Sequence, residues 1–182
     1  MARIATWTIV ILLCLAMAAG VFIGGPPPTA SGGGAAGGAA GGVSASVTPL
    51  SAAAKARHEN MREVVAHLLT EAGGDPSNLS SVENKLAAVQ TILDAADPAT
   101  RSSWELRCLA TVFADAVVQG QGLEWVAVRD AEGHHEALAV PDSDLMFLPR
   151  DIFVDTVRGS NPIHAQALYD AIQAELNQSN TQ

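Results

Sequence analysis

The first 58 residues of this 182-residue chain include no acidic residue. All 19 Asp and Glu residues lie at or after Glu59, where seven Lys and Arg residues accompany them, so this part of the chain has a formal charge of −12. Proteins bind nucleic acid through Lys and Arg side chains that displace counterions from phosphates, and anionic lipid headgroups attract basic segments in the same way. The charge therefore argues against nucleic acid as a partner and against contact between the acidic part and anionic headgroups.

Cysteine is scarce, with Cys14 and Cys108 as its two occurrences. Cys14 lies in a long apolar run near the N-terminus, so we expect no disulfide bond between the two. A nucleophilic cysteine needs a nearby base and electropositive surroundings. Asp115 is predicted to lie two helical turns from Cys108 on the same face, which opposes thiolate formation. Cys108 is therefore predicted to be a small buried hydrophobic residue.

Recognisable catalytic motifs are also missing. The sequence contains no serine nucleophile elbow, phosphate-binding glycine loop, dinucleotide fingerprint or HExxH zinc motif. His134 and His135, flanked by Glu132 and Glu136, form a cluster of metal-ligand types, but zinc needs three or four ligands at fixed spacing. We interpret this cluster as a solvated turn, and predict no catalytic residue, cofactor-binding residue, cofactor or metal site.

An uncharged apolar segment, Ile4–Gly25, follows Arg3. As a helix it would reach about 33 Å, enough to cross a hydrocarbon core of about 30 Å. A positive charge before an apolar core is typical of a signal peptide, and Ala16–Ala18 offers a small-x-small cleavage site. The apolar run continues beyond that site through Val21–Ile23, which favours a retained anchor. Residues 1–25 are thus predicted to be a transmembrane anchor or a signal peptide.

Residues 26–51 are rich in Pro, Gly and Ala, and include the run SGGGAAGGAAGG. These side chains cannot build a core, so a disordered linker is predicted.

The positive charge of Arg3 predicts the orientation of the chain. Arg3 should stay inside the cell, which places the rest of the chain outside the cytoplasm. We therefore expect a cell-envelope protein: single-pass in the inner membrane if the segment is retained, periplasmic or secreted if it is cleaved. The membrane is accordingly an expected partner of the N-terminal segment.

Residues 52–178 are predicted to form one α+β domain, followed by a disordered tail at 179–182. Helical spacing, caps and proline positions indicate three helices, a change of period indicates three strands, and two helices follow. The predicted helices are 52–71, one starting at Ser80 with a Ser80/Glu83 capping box, 98–118, 149–157 and 163–176. The predicted strands, in a three-stranded antiparallel meander, are 123–128, 136–140 and 145–148.

The third helix has apolar residues on two sides. Leu106, Leu109 and Phe113 lie on its main apolar face, whereas Trp104, Cys108, Thr111 and Asp115 lie opposite. We therefore predict a central helix covered on both sides, partly by the strand that carries Trp125. Asp115 should then be at least partly buried and need a partner, expected from Arg101, Arg129, Arg150 or backbone amides. The alternative is that Asp115 lines a functional pocket. The candidate polar site, structural or functional, is Asp115 with Trp125 and the turn residue Asp130.

Several short motifs resemble the bacterial domain of unknown function 3806. They are Leu86–Leu93 with Asp94, Leu106–Val117, Gly122–Val126 with Asp130, Gly133 and Ala137-Leu138, and Phe147–Pro149. The resemblance extends over roughly His58 to Leu176 and implies a fold, not an activity, because the motifs are structural and the family has no known activity. Ala114, His134 and Asp155-Thr156-Val157 depart from its pattern, which bears on any ligand site shared with relatives.

These features favour a membrane-tethered or secreted envelope protein with an acidic, non-enzymatic binding or structural module, whose partner is a protein. Two alternatives stay open. One is an envelope hydrolase with an unrecognised carboxylate site, since the spatial separation of carboxylates cannot be read from sequence. The other is an immunity-type protein, whose acidity would suit a basic partner.

Overall fold

The computed structural model describes residues 46–130, 133–141, 143, 145–158 and 164–179. The predicted anchor or signal peptide, residues 1–25, and most of the predicted linker lie outside these residues, as do residues 180–182 of the predicted tail. Within the described part, no helix combines the length and apolar character required to cross a membrane.

The described residues form five α-helices, one 3-10 helix and four β-strands, so the α+β class is confirmed. In chain order they are β1 Ser46–Pro49, α1 Ala52–Glu71, α2 Val82–Ala95, the 3-10 helix Pro98–Thr100, α3 Ser103–Gln121, β2 Glu124–Asp130, β3 Gly133–Ala139, β4 Met146–Phe147, α4 Pro149–Arg158 and α5 Ala165–Ser179.

The prediction of three strands is wrong, because a fourth strand precedes all the helices. The sheet is antiparallel in the order β1-β2-β3-β4, and Val47 of β1 pairs with Val128 of β2. Residues 46–49 lie within the predicted linker; they form a short strand that ends in Pro49, a residue that suits only an edge strand. Their pairing partner lies some 80 residues further along the chain, so local pattern gives no sign of it.

Helix α3 is the central element, as its two apolar faces predict. Every residue from Leu106 to Val117 except Arg107 is buried, and α3 packs against the other four described helices. Trp104 departs from the prediction: it lies in the first turn of α3 and is 46% exposed. A Ser102/Glu105 capping box begins the helix, and Gly122 in the left-handed conformation ends it.

Two predicted helix starts are shifted by local capping. Ser81, not Ser80, caps α2, because its side chain accepts the hydrogen bond from Asn84 N. Asp97 and Pro98 start a separate 3-10 turn instead of the third α-helix. The backbone of Arg101 then becomes extended, so Ser102 can begin α3.

Candidate functional site

A chain of polar side chains lies between α1, α3 and the face of the sheet that packs on the helices. Its members have ion pairs, hydrogen bonds or ring contacts with one another, and we call them the polar seam: Arg57, His58 and Arg62 of α1, Asp115 of α3, Trp125 of β2, Glu136 of β3 and Arg150 of α4.

Helix and strand periodicity bring these side chains together. His58 and Arg62 are four residues apart and share a face of α1, next to the buried Met61. On the sheet, Glu136 pairs with Ala127, two residues after Trp125, so Glu136 and Trp125 point to the same face.

Asp115 is more deeply buried than Trp125 and Asp130, the other two residues of the predicted polar site. Its Oδ2 accepts from Arg62 Nε at 2.6 Å, and its Oδ1 accepts from Arg62 Nη2 at 3.0 Å and from Trp125 Nε1 at 3.0 Å. Asp115 is 9% exposed, so its burial and its need for a partner are as predicted. The predicted partners are wrong: Arg62 and the Trp125 indole satisfy it, not Arg101, Arg129, Arg150 or backbone amides.

The fork-to-fork geometry raises the pKa of Arg62 above its ordinary value, chiefly through the hydrogen bond to Asp115. Arg62 also bonds the exposed Glu59 through Nη1 at 2.7 Å. Burial lowers the pKa of Lys85, and the negative charge of Asp115 partly offsets this lowering. At this end of the seam, Arg62 and Asp115 therefore form an ion pair with two hydrogen bonds, and a second cation, Lys85, lies nearby.

Glu136 is the second carboxylate of the seam, and three donors surround it. Arg57 Nη2 bonds Oε1, while His58 Nε2 and Arg150 Nη2 lie 3.1 Å and 3.0 Å from Oε2. The contact from His58, followed by that from Arg57, lowers the pKa of Glu136 to about 2 against the opposing effect of burial. An ionised carboxylate only accepts, so His58 Nε2 carries hydrogen and donates.

His58 and Trp125 connect the two carboxylates. Their rings contact edge to face, with centroids 4.5 Å apart and an interplanar angle of 63°. His58 is 1% exposed, although the polar sequence around it is typical of a surface position. His67, nine residues further along α1, is by contrast exposed.

Asp130 does not belong to this seam. It lies at the far end of β2 from Trp125, about 16 Å away at 3.3 Å per residue. There its Oδ1 accepts from Gly133 N at 3.1 Å and lies 3.3 Å from His135 Nε2. The structure thus brings Asp115 and Trp125 together but places Asp130 at the last position of β2, away from both.

His134 and His135 belong to β3, not to a solvated turn, and His135 is only partly exposed. No group of three metal-ligating side chains occurs among the described residues. Cys108 is fully buried, and burial raises the pKa of its thiol to about 11.

Sequence reasoning missed Arg57, His58, Arg62, Glu136 and Arg150 as members of the site. A usable signal existed for Glu136. In an extended strand it shares a face with Leu138, which is 1% exposed and part of the main core. A carboxylate at an inward-facing strand position needs a cationic partner. No comparable signal identified Arg57 or Arg150, since each contacts Glu136 from a different element, 79 and 14 residues away along the chain.

The first prediction concerns Asp115. Asp115→Ala in the full chain should lower the free energy of unfolding by about 2 kcal/mol or more, because Arg62 and the Trp125 indole lose their acceptor. Asp115→Asn should cost less, since one oxygen remains for Trp125. Chemical denaturation provides the measurement, and Asp155→Asn on the exposed face of α4 is the matched control. Near-wild-type stability for both Asp115 variants would contradict a structural role.

The second prediction concerns Glu136. Its folded pKa lies below the unfolded one, so its ionisation stabilises the fold above about pH 5 and this contribution is lost as the pH falls towards 2. The difference in unfolding free energy between wild type and Glu136→Gln should shrink by on the order of 2 kcal/mol over that window. Glu124→Gln, at an exposed position of β2, should show no such trend. A pH-independent difference for Glu136→Gln would refute the assignment.

Comparison with solved structures supports the fold. The chain is similar to a crystal structure from Bacteroides thetaiotaomicron VPI-5482, with a TM-score of 0.56 and 19% sequence identity. The match covers 76% of this chain and 51% of the other, so this chain spans about half the length of that protein. At this identity the likeness concerns the fold alone. No curated protein matches the chain.

A family model described as "Domain of unknown function (DUF3806)" matches residues 85–169. The match includes α3, the strands β2 to β4 and α4, and hence Asp115, Trp125, Glu136 and Arg150, whereas the α1 members of the seam precede it. Residues 85–169 of this chain are thus similar to the DUF3806 family, a domain of unknown function.

Proposed function

We propose that this protein is a membrane-tethered or secreted bacterial envelope protein whose acidic domain is a non-enzymatic binding or structural module. The uncharged segment 4–25 behind Arg3 and the Gly- and Ala-rich stretch after it support the placement. The polar seam supports the non-enzymatic role.

The observation that carries the proposal is that both seam carboxylates are already paired with cations of the same chain. Asp115 accepts three N–H groups, and Glu136 accepts from Arg57, Arg150 and His58. Such pairing fixes helix α1 to α3 and to the sheet. The seam is therefore best understood as a clamp that gives the domain a rigid surface for a partner.

An envelope hydrolase with two working carboxylates is the main alternative. Its general acid would need a raised pKa, so that it holds a proton near neutral pH. The pKa of Glu136 shifts in the opposite direction, to about 2. His58, as a candidate base, is 1% exposed and bonded to Glu136. These features favour binding over acid–base catalysis.

An immunity-type role is the second alternative, and the formal charge of −12 after residue 58 favours it. Negative charge steers association with a basic protein and speeds binding at low salt. In this case the partner would be a basic toxin, whereas the leading proposal leaves the partner's charge open.

The third prediction tests the location. A reporter enzyme that is active only outside the cytoplasm, fused after Gln182 of the full chain, should be active in bacterial cells. Removal of residues 1–25 should abolish this activity, because the segment that directs export is gone. Activity of a cytoplasm-specific reporter in the same place would overturn the proposed location. A mature N-terminus near Ala19 would show cleavage instead of a retained anchor.

The fourth prediction tests the binding role. Crosslinking of the full chain in native membranes, followed by purification and mass spectrometry, should recover one or a few envelope proteins reproducibly. Asp115→Ala should reduce this recovery if the clamp holds the binding surface, whereas Asp155→Asn should not.

Two outcomes would count against this role. Recovery of background proteins alone would oppose a binding module. Turnover of a cell-wall fraction by the purified protein, lost in Glu136→Gln, would favour the hydrolase.

A further inference from the structure

The Glu136 end of the polar seam has more positive than negative charge. Arg57 and Arg150 both bond Glu136, so two guanidinium groups face one carboxylate and leave a local excess of one positive charge even when His58 is neutral. At the other end, Arg62 and Lys85 are balanced by Asp115 and Glu59. The excess charge is therefore confined to the side of Arg57 and Arg150.

This excess is open to solvent. The side chains of Arg57 and Arg150 are 49% and 30% exposed, whereas that of Glu136 is 11% exposed. Each arginine contacts Glu136 through its Nη2 atom, and a guanidinium has five N–H donors. Each guanidinium group is thus partly exposed and has more N–H donors than the one that contacts Glu136.

The charge and the geometry of the two guanidinium groups indicate which class of ligand they would bind. A guanidinium fork matches the two oxygens of a carboxylate, and charge-assisted bonds of this type are strong. One carboxylate would bring the local charge to zero. A doubly charged phosphate would exceed the local positive charge and meet the repulsion of an acidic domain.

We propose that Arg57 and Arg150 bind a carboxylate group of a ligand beside Glu136. The ligand is a small organic acid or the free C-terminus of a peptide, and its carboxylate shares the two guanidinium groups with Glu136. This proposal rests on the binding role proposed above, and names the chemistry that the domain recognises.

The test uses the full chain, labelled with ¹⁵N in detergent micelles, and sodium acetate as the probe. Acetate should shift the side-chain resonances of Arg57 and Arg150 saturably, whereas sodium chloride at the same ionic strength should not. An acetylated Ala-Ala dipeptide with a free carboxylate should bind more tightly than its C-terminal amide if the source is a peptide. Binding of acetate without such a preference would identify a small acid. Either result supports the carboxylate site.

Substitutions test whether acetate binding depends on Arg57 and Arg150. Arg57→Gln and Arg150→Gln should each weaken acetate binding by about tenfold or more, as expected for loss of a charge-assisted bond. Arg107→Gln, at an exposed position of α3 outside the seam, is the matched control and should bind as wild type does. Glu136→Gln should tighten binding several-fold, because it removes the internal competitor and leaves two uncompensated guanidinium groups.

The proposal is overturned if acetate produces no saturable shift, if Arg107→Gln weakens binding as much as Arg57→Gln, or if inorganic phosphate binds as well as acetate. Arg57 is half exposed, so its substitution should not unfold the domain, and circular dichroism checks this for each variant.

Mass spectrometry of the dipeptide distinguishes failure of the carboxylate site from failure of the proposed non-enzymatic role. Cleavage of the peptide would contradict the non-enzymatic role while leaving the carboxylate site in place. An intact but unbound peptide, together with no acetate binding, would overturn the carboxylate site and leave the binding role to the crosslinking result.

Discussion

The structure depends on the pairing of two carboxylates that folding takes out of water. Asp115 lies on the central helix α3, and Glu136 on the inner face of the sheet. A buried charge without a partner costs several kcal/mol, so each carboxylate needs a cation beside it in the packed structure. Helix α1 supplies the cations for both, through Arg62 and Arg57. The position of α1 against α3 and the sheet is thus fixed by charge as well as by apolar contacts.

This requirement explains how an acidic domain distributes its few cations. Among the Lys and Arg residues from Lys55 onward, four lie in or beside the polar seam: Arg57, Arg62, Lys85 and Arg150. Most carboxylates remain outside the seam, on the exposed surface. Internal pairing and external acidity therefore occupy separate regions. A negative surface can meet a partner without disturbing the contacts that hold the fold.

The family match includes only part of the polar seam. Residues 85–169 contain the carboxylates, Trp125 and Arg150, but not the α1 residues Arg57, His58 and Arg62. The seam therefore joins the matched part of the chain to the helix before it. Contact of His58 with both Trp125 and Glu136 shows that α1 is integral to the core, not an appendage.

The sequence by itself determined the α+β class, the bounds of α1, the central place of α3 and the burial of Asp115, because helical period and caps act over a few residues. Tertiary structure alone decided the fourth strand, since Val47 pairs with Val128 far along the chain. It also decided which cations pair with Asp115 and Glu136. A guanidinium on a long side chain can reach several carboxylates, and only the packing of α1 and α4 on the sheet selects among them.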